Sequence, residues 1–478
     1  MQPSTCRKRT RGEETPSIGT GDVNVGSTST MDAPISRRCC GAQARLGPVE
    51  GRKNDHGWMR KVHGTPLRFV RSRTRATGGN DHGRVGRGLE NEPWTELVEG
   101  KVLDGPDLSV QVDGLQLPNP FVIASGPPGT NYKVMKKAFD EGWGAVIAKT
   151  VSLEAEKVHN VTPRYARMKT SDNKILGWEN IELISDRPLQ DMLDEFKRLK
   201  EEYPNRVLIA SIMEEYNQNA WEELIGRCEE TGVDGFEINF SCPHGMPERK
   251  MGMAMGQDCE LLHEVCGWIT NASSIPVWAK MTPNVTDITF PAREALKQGC
   301  HGVSAINTIA SVMGINLDTL RPEPTVEGYS TPGGYSSTAV KPIALAKVMS
   351  IAQMIRSEFD GEKSLSGIGG INTGGDAAEF ILCGANTVQV CTGVMVHGYP
   401  MVKTLAAGLQ NFMAKHEFTN IEDFRGASLP YFTTHTELVR LQHEAIAAKK
   451  AKRIGVDSDA GWSGDGFVQE SESMVSNR

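Results

Sequence analysis

The sequence predicts an α/β chain folded as a (β/α)8 TIM barrel, with an N-terminal disordered leader and a short C-terminal extension. Three observations point there. Short, almost wholly apolar runs recur in the middle of the chain. Segments with apolar residues near i, i+3 and i+4 separate them. Polar side chains gather at the ends of the apolar runs.

The runs are "FVIASG" from Phe121, "AVIAKT" from Ala145, "RVLIASIM" from Arg206, "GFEINFSC" from Gly235, "VWAKMT" from Val277, "GVSAINT" from Gly302, "SLSGIGG" from Ser364 and "TVQVCTG" from Thr387. Near-continuous apolarity is what a strand buried on both faces requires. Between them lie helical patterns: "YKVMKKAFDEGW", "PLQDMLDEFKRLKEEYP", "NAWEELIGRCEETG", "CELLHEVCGWITNAS", "IALAKVMSIAQMIRSEF" and "GDAAEFILCG". Strands alternating with helices pair in parallel, and eight such units over about 300 residues close into a barrel. A doubly wound open sheet is the alternative. It would need a glycine-rich phosphate turn after an early strand, and "ASGPPGTNYKVMKKAF" is not G-x-G-x-x-G. Ahead of the first strand, "GKVLDGPDLSVQVDGLQLPNPF" reads as extended segments with turns, a hairpin plugging the barrel bottom.

The expected organisation is a leader over 1–93, a barrel over 94–450 and a polar extension over 451–478. The leader is rich in Arg and Ser and lacks apolar periodicity, as plastid or mitochondrial transit peptides do. A plastid address is expected, with mitochondrion or cytosol as alternatives. Glu13, Glu14 and Asp22 count for a plain disordered arm instead. The net charge of −7 argues against a broad nucleic-acid surface. No apolar run reaches the roughly 18 residues of a membrane span. The ten cysteines include no C-x-x-C pair, which disfavours zinc-ribbon, ferredoxin and thioredoxin sites, and no metal ligand set is expected. Their irregular spacing fits reduced thiols.

In a barrel the C-terminal strand ends form the active-site face. Those ends carry Ser125, Lys149, Thr150, Ser241, Cys242, Lys280, Thr282, Asn307, Thr308, Gly369, Gly370, Cys391 and Thr392, with Asn180 and Glu182 on the loop after the second strand. "GIGGINTGGDAAEF" sets backbone N–H groups beside a helix N-terminus, and "QVCTGV" adds a second small-residue turn. Together they suit a phosphate, although glycines alone read equally as turns. Lys149 and Lys280 in one pocket suit an anionic reduced flavin, with a Schiff-base lysine as the rival. Asn180, Asn239 and Asn307 offer donors and acceptors for a ligand with alternating C=O and N–H groups. His244, next to Cys242 in "CPHG", could act as a base or merely shape the turn. The loop from Met246 to Gly256 could close over a substrate.

"NFSCPHGMPERKMGMAMGQD", "VWAKMTPNVTDI", "AINTIASVMG", "GYSTPGGYSSTAVKPIALAKV", "SGIGGINTGGDAAEFILCGA" and "VQVCTGVMVHG" resemble the flavin-dependent pyrimidine dehydrogenases of the dihydroorotate dehydrogenase superfamily. The likeness is greatest to the short plant and algal branch and runs from about Leu108 to the C-terminus, with "SCPHGM…GQD" separating this branch from the dihydroorotate enzymes. It implies an FMN-bearing barrel that reduces the 5,6 double bond of uracil and thymine, with NADPH as electron donor, either directly or through a reductase partner. The iron–sulfur clusters, FAD and NADPH-binding region of the long animal form are not expected here. The resemblance further implies Cys242 as catalytic acid. It assigns Asn180, Glu182, Asn239, Phe240, Ser241, Asn307 and Thr308 to the pyrimidine. Ser125, Lys149, Thr150 and Lys280 fall to the FMN ring, and Ser337, Ile368, Gly369, Gly370, Cys391 and Thr392 to its phosphate arm. Ser337 departs from the long animal form, which has glycine in this turn. A homo-oligomer is expected. The alternatives are a dihydroorotate dehydrogenase-type flavin enzyme and, without redox chemistry, a phosphate-binding barrel lyase using Lys280.

Overall fold

A computed structural model describes Leu89, residues 91–242 and residues 250–451. The expectations for the leader up to residue 88, for the extension after 451 and for His244 lie outside the described residues. Among the described residues, parallel strands and helices alternate and the strands close into a barrel. In chain order these are β1 (Phe121–Ile123), α1 (Tyr132–Glu141), β2 (Ala145–Ile147), α2 (Leu189–Glu202), β3 (Val207–Ile212), α3 (Gln218–Glu229), β4 (Gly235–Asn239) and α4 (Cys259–Ala272). They continue with β5 (Val277–Lys280), α5 (Thr289–Lys297), β6 (Gly302–Ala305), α6 (Lys341–Glu358), β7 (Ser364–Ile368), α7 (Gly374–Leu382), β8 (Thr387–Val390) and α8 (Met401–Lys415). Each strand pairs with its chain neighbour, and β8 pairs with β1 to close the ring. Every strand coincides with one of the apolar runs.

Alternation along the strands divides each run between two environments. On β4, Phe236 and Ile238 join the core between strands and helices, while Glu237 bonds to β5 and β8 across the barrel interior. The outer core holds Phe121, Trp143, Phe196, Trp221, Phe236 and Phe380, all essentially inaccessible. Each such side chain is worth about 1.5–3 kcal/mol relative to exposure. Helix α6 with its leading turn, Thr338–Glu358, is long and apolar enough to cross a membrane by composition; here it packs Ala344, Val348, Ile351 and Ile355 into the core. Helices α5 and α8 were not legible as periodic segments. Phe290 on α5 is exposed, and the buried face of α8 mixes Thr404, Ala406 and Ala407 with Leu405 and Leu409.

The expected hairpin is present as strands Val110–Val112 and Leu115–Leu117. Its turn residue Asp113 accepts a hydrogen bond from Trp278 Nε1 at 2.6 Å and another from Ser364 Oγ. Those residues open β5 and β7, so the hairpin does plug the bottom.

The opposite end carries an addition. Segments after β2 (165–169 and 175–180) and after β6 (309–311 and 333–336) form an antiparallel sheet at the barrel mouth. Asn180 ends one of these strands rather than lying on a loop. The strands are short, partly exposed and glycine-containing, so no apolar run announced them.

Candidate active site

A cavity with about 1150 Å³ of empty space, counting its open mouth, lies where the C-terminal strand ends meet this sheet. The structure brings together Ser125, Lys149, Thr150, Asn180, Glu182, Asn239, Cys242, Lys280, Asn307, Thr308, Ser337, Ile368, Gly369, Gly370, Cys391 and Thr392 on its walls. Phe240 and Ser241 are the two expected residues that do not line it. Strand parity explains Phe240: Glu237 and Asn239 point inward, so Phe240 points out and is buried in the core. Ser241 is fully buried behind the wall, where its N–H and Oγ each donate to Asn239 Oδ1 at 3.2 Å and Oγ accepts from Asn307 Nδ2. It braces two amides rather than reaching the cavity.

Three polar groups meet beneath one side of the cavity. Lys280 Nζ donates to Ser125 Oγ and to Glu237 Oε1, both at 3.0 Å, and Ser125 Oγ donates to the same carboxylate oxygen at 3.0 Å. The other Glu237 oxygen accepts from Gln389 Nε2 at 2.8 Å. Glu237 and Gln389 escaped the sequence reading because each sits inside an otherwise apolar run. The usable signal was a charged or amide residue in the middle of a barrel strand.

Lys149 belongs to a second pair, with Nζ 2.6 Å from Glu182 Oε1. Tyr165 OH donates to Glu182 Oε2 at 2.8 Å, and Arg164 Nε lies 3.3 Å from Oε1. Burial first, then the Glu182 carboxylate, raises the Tyr165 phenol well above its ordinary range, so it remains a neutral donor. Tyr165 and Trp178 also line the cavity and were not anticipated.

The amides are held by their neighbours. Asn180 Nδ2 donates to Gly334 O at 3.2 Å, Asn239 Nδ2 to Thr150 Oγ1 at 3.0 Å, and Asn307 Oδ1 accepts from Thr308 N at 2.7 Å. An amide has two donors and two acceptor lone pairs, so each keeps capacity for a ligand while its orientation is fixed.

Cys242 is buried yet reaches the cavity, beside Ile184, Met213 and Met251. Its carbonyl accepts from Met253 N at 3.1 Å, which folds the described end of the following loop onto it. Gly252 makes that approach feasible: its φ is +56°, and a Cβ there would lie 2.8 Å from Cys242 O. Residues 251–253 therefore pack on Cys242; the earlier part of the expected lid, through 249, lies outside the described residues. Across the cavity lining, burial pushes the Cys391 thiol up to about 11, against the pull of Lys280.

The last part of the wall comes from Ser337, the β7 end and the turn into α7. Gly369 and Gly370 take φ of +135° and +75°. Thr373 caps α7, and Asp376 reciprocates by accepting from the backbone N–H groups of Thr373 and Asn372. Two lysine–carboxylate pairs, fixed amides and glycine turns next to a nine-residue helix start suit a flavin. One buried acceptor on the wall, Gln389 Oε1, has no protein partner among the described residues.

The family model for dihydroorotate dehydrogenase matches residues 107–413. The chain belongs to the dihydroorotate dehydrogenase family. Within that family it is similar to the dihydropyrimidine dehydrogenase (NADP(+)), chloroplastic, of Arabidopsis thaliana, with 71% identity over 377 residues, covering 78% of this chain and 88% of that one. It is 42% identical to the NAD-dependent dihydropyrimidine dehydrogenase subunit PreA of Escherichia coli, over 67% of this chain and 76% of that one. It is 31% identical to the catalytic subunit of dihydroorotate dehydrogenase B (NAD(+)) from Pyrococcus abyssi, covering 67% and 99%. A solved structure of DHODH with ferulenol from Eimeria tenella shares the family fold at TM-score 0.56 and 22% identity, over 68% of this chain and 89% of that one.

Proposed function

We propose that this chain is an NADPH-linked, FMN-dependent dihydropyrimidine dehydrogenase of the plastid, reducing the 5,6 double bond of uracil and thymine. The observation that carries this reading is the joint placement of the Cys242 thiol, the oriented amides and the paired lysines in one cavity. The 71% identity to a relative named chloroplastic dihydropyrimidine dehydrogenase (NADP(+)) supports it independently.

Ser125, Lys149, Thr150 and Lys280 would hold the ring system, and Ser337, Ile368, Gly369, Gly370, Cys391 and Thr392 its phosphate arm. A flavin bound there would supply hydride to one carbon of the pyrimidine double bond. Cys242 holds the proton for the other carbon, the role of a general acid that a positioned thiol can fill. Asn180, Asn239, Asn307 and Thr308 orient the ring, turning a bimolecular encounter into a positioned one.

The same geometry bears on the rivals. Lys149 and Lys280 are the cationic side chains lining the cavity among the described residues, and each is paired with a glutamate. A carboxylated pyrimidine such as dihydroorotate would need a cation to spare, whereas uracil would not. Lys280, committed to Glu237, serves better as a source of field than as a nucleophile, which disfavours the lyase. Turnover measured side by side with uracil, thymine and dihydroorotate tests the assignment. Reduction of the first two without oxidation of the third is expected, and preference for dihydroorotate would overturn it. Borohydride trapping of substrate on Lys280 would instead establish the lyase.

A further inference from the structure

Glu237 is wholly inaccessible and sits inside the barrel, where aliphatic side chains normally fill the space. A buried carboxylate–ammonium pair gives no dependable stability over an apolar pair of the same size. The geometry around this one is specific. The Lys280 ammonium has three N–H donors, two of which go to Ser125 Oγ and Glu237 Oε1. The third is left for the cavity that Lys280 lines. Ser125 closes the triangle by donating to Glu237, and Gln389 holds the second carboxylate oxygen from the far side. Gln389 Nε2 is steadied in turn by Ser304 Oγ at 3.1 Å and Ser366 Oγ at 3.2 Å. Glu237 itself does not line the cavity.

We propose that Glu237 is a positioning residue for the redox reaction: it fixes the Lys280 ammonium against Ser125 and offsets its charge at the cofactor, so that the Glu237–Lys280 pair sets the reduction potential of the bound flavin. The inference rests on the flavin reading above. A reduced flavin is richer in electrons than an oxidised one, so a cation nearby favours reduction and a buried anion behind that cation opposes it. Removing the anion raises the potential.

The test is the midpoint potential of the flavin bound to the full chain, measured by anaerobic dye equilibration. Glu237→Gln keeps the shape, and the unpartnered Gln389 Oε1 can turn to accept from the new amide. It should favour the reduced flavin about tenfold, a rise of about 30 mV for a two-electron couple. Glu237→Asp, which keeps the charge, should stay near the wild-type value. A merely structural role would weaken flavin retention in both variants without this charge-dependent difference. If Glu237→Gln does not hold flavin, the same change is read in a Lys280→Gln background, where no charge is left unpaired, and the double variant should lie above Lys280→Gln. An unchanged potential in either comparison, or equal shifts in the Gln and Asp variants, overturns the inference while leaving the enzyme assignment intact. A wild-type chain that takes up no flavin sinks both.

Discussion

Lys149 Nζ lies 2.6 Å from Glu182 Oε1, with both side chains more than nine-tenths buried. Sequence reasoning had placed Glu182 against the substrate; the structure makes it the counter-ion of Lys149 as well, with Tyr165 and Arg164 on the same carboxylate. Removing one partner of such a pair strands the other charge. Glu182→Ala should therefore cost about 3–5 kcal/mol of stability. Glu182→Gln, which can still accept from Lys149, should cost less. Urea unfolding of the flavin-loaded variants measures both.

The acid assignment makes a kinetic prediction that separates the two halves of turnover. Cys242→Ala should lower uracil reduction by about 10²–10⁴-fold. Flavin content and the rate of flavin reduction by NADPH should stay near wild type, because the thiol has no part in loading electrons. Stopped-flow absorbance follows each half separately. Equal slowing of both halves would show that Cys242 acts through the fold of the site.

Ser337 occupies a backbone region that glycine tolerates far better, with φ +82° and ψ −166°. That conformation costs a non-glycine residue about 1–3 kcal/mol. Ser337→Gly should thus be neutral to stabilising by about 1 kcal/mol after the extra freedom of the unfolded glycine is subtracted. FMN affinity should be retained. Ser337→Val should destabilise and loosen FMN, as measured by thermal unfolding and flavin fluorescence titration.

Asp376 gives the site a dependence on acid. Burial opposes its ionisation, but the Lys341 ammonium at 2.6 Å and the backbone N–H groups of Asn372 and Thr373 outweigh it and hold the carboxyl below its ordinary value. A lowered folded pKa means that the stabilisation is present above the unfolded value, about 3.9, and is lost as pH falls through the folded one. Asp376→Ala should cost about 1 kcal/mol at pH 7 through loss of its half of the capping box. The gap from wild type should narrow as the pH falls below about 4. Denaturation midpoints at pH 7 and in acid check the sign.

The barrel strands were legible because burial on both faces leaves nearly continuous apolar runs, as in Phe121–Ile123 and Ala145–Ile147. The site was legible because polar residues at the tips of such runs have few uses other than a ligand. Three features were hidden for physical reasons. The mouth sheet is made of short strands such as Tyr165–Lys169, whose exposed face carries no apolar signature. Glu237 and Gln389 are single polar residues inside apolar runs, and their partners Lys280 and Ser304 are distant in the chain. Phe240 and Ser241 were assigned to the substrate by position in a motif; strand parity turns Phe240 into the core, and Ser241 is drawn behind the wall by its bonds to Asn239 and Asn307.

The most direct measurement is an anaerobic absorbance titration of the purified protein. The assignment predicts a yellow protein whose flavin bands bleach on addition of NADPH and return on addition of uracil, while orotate leaves them bleached. A colourless protein that gains no FMN on reconstitution, or a reduced flavin reoxidised by orotate but not by uracil, would contradict it.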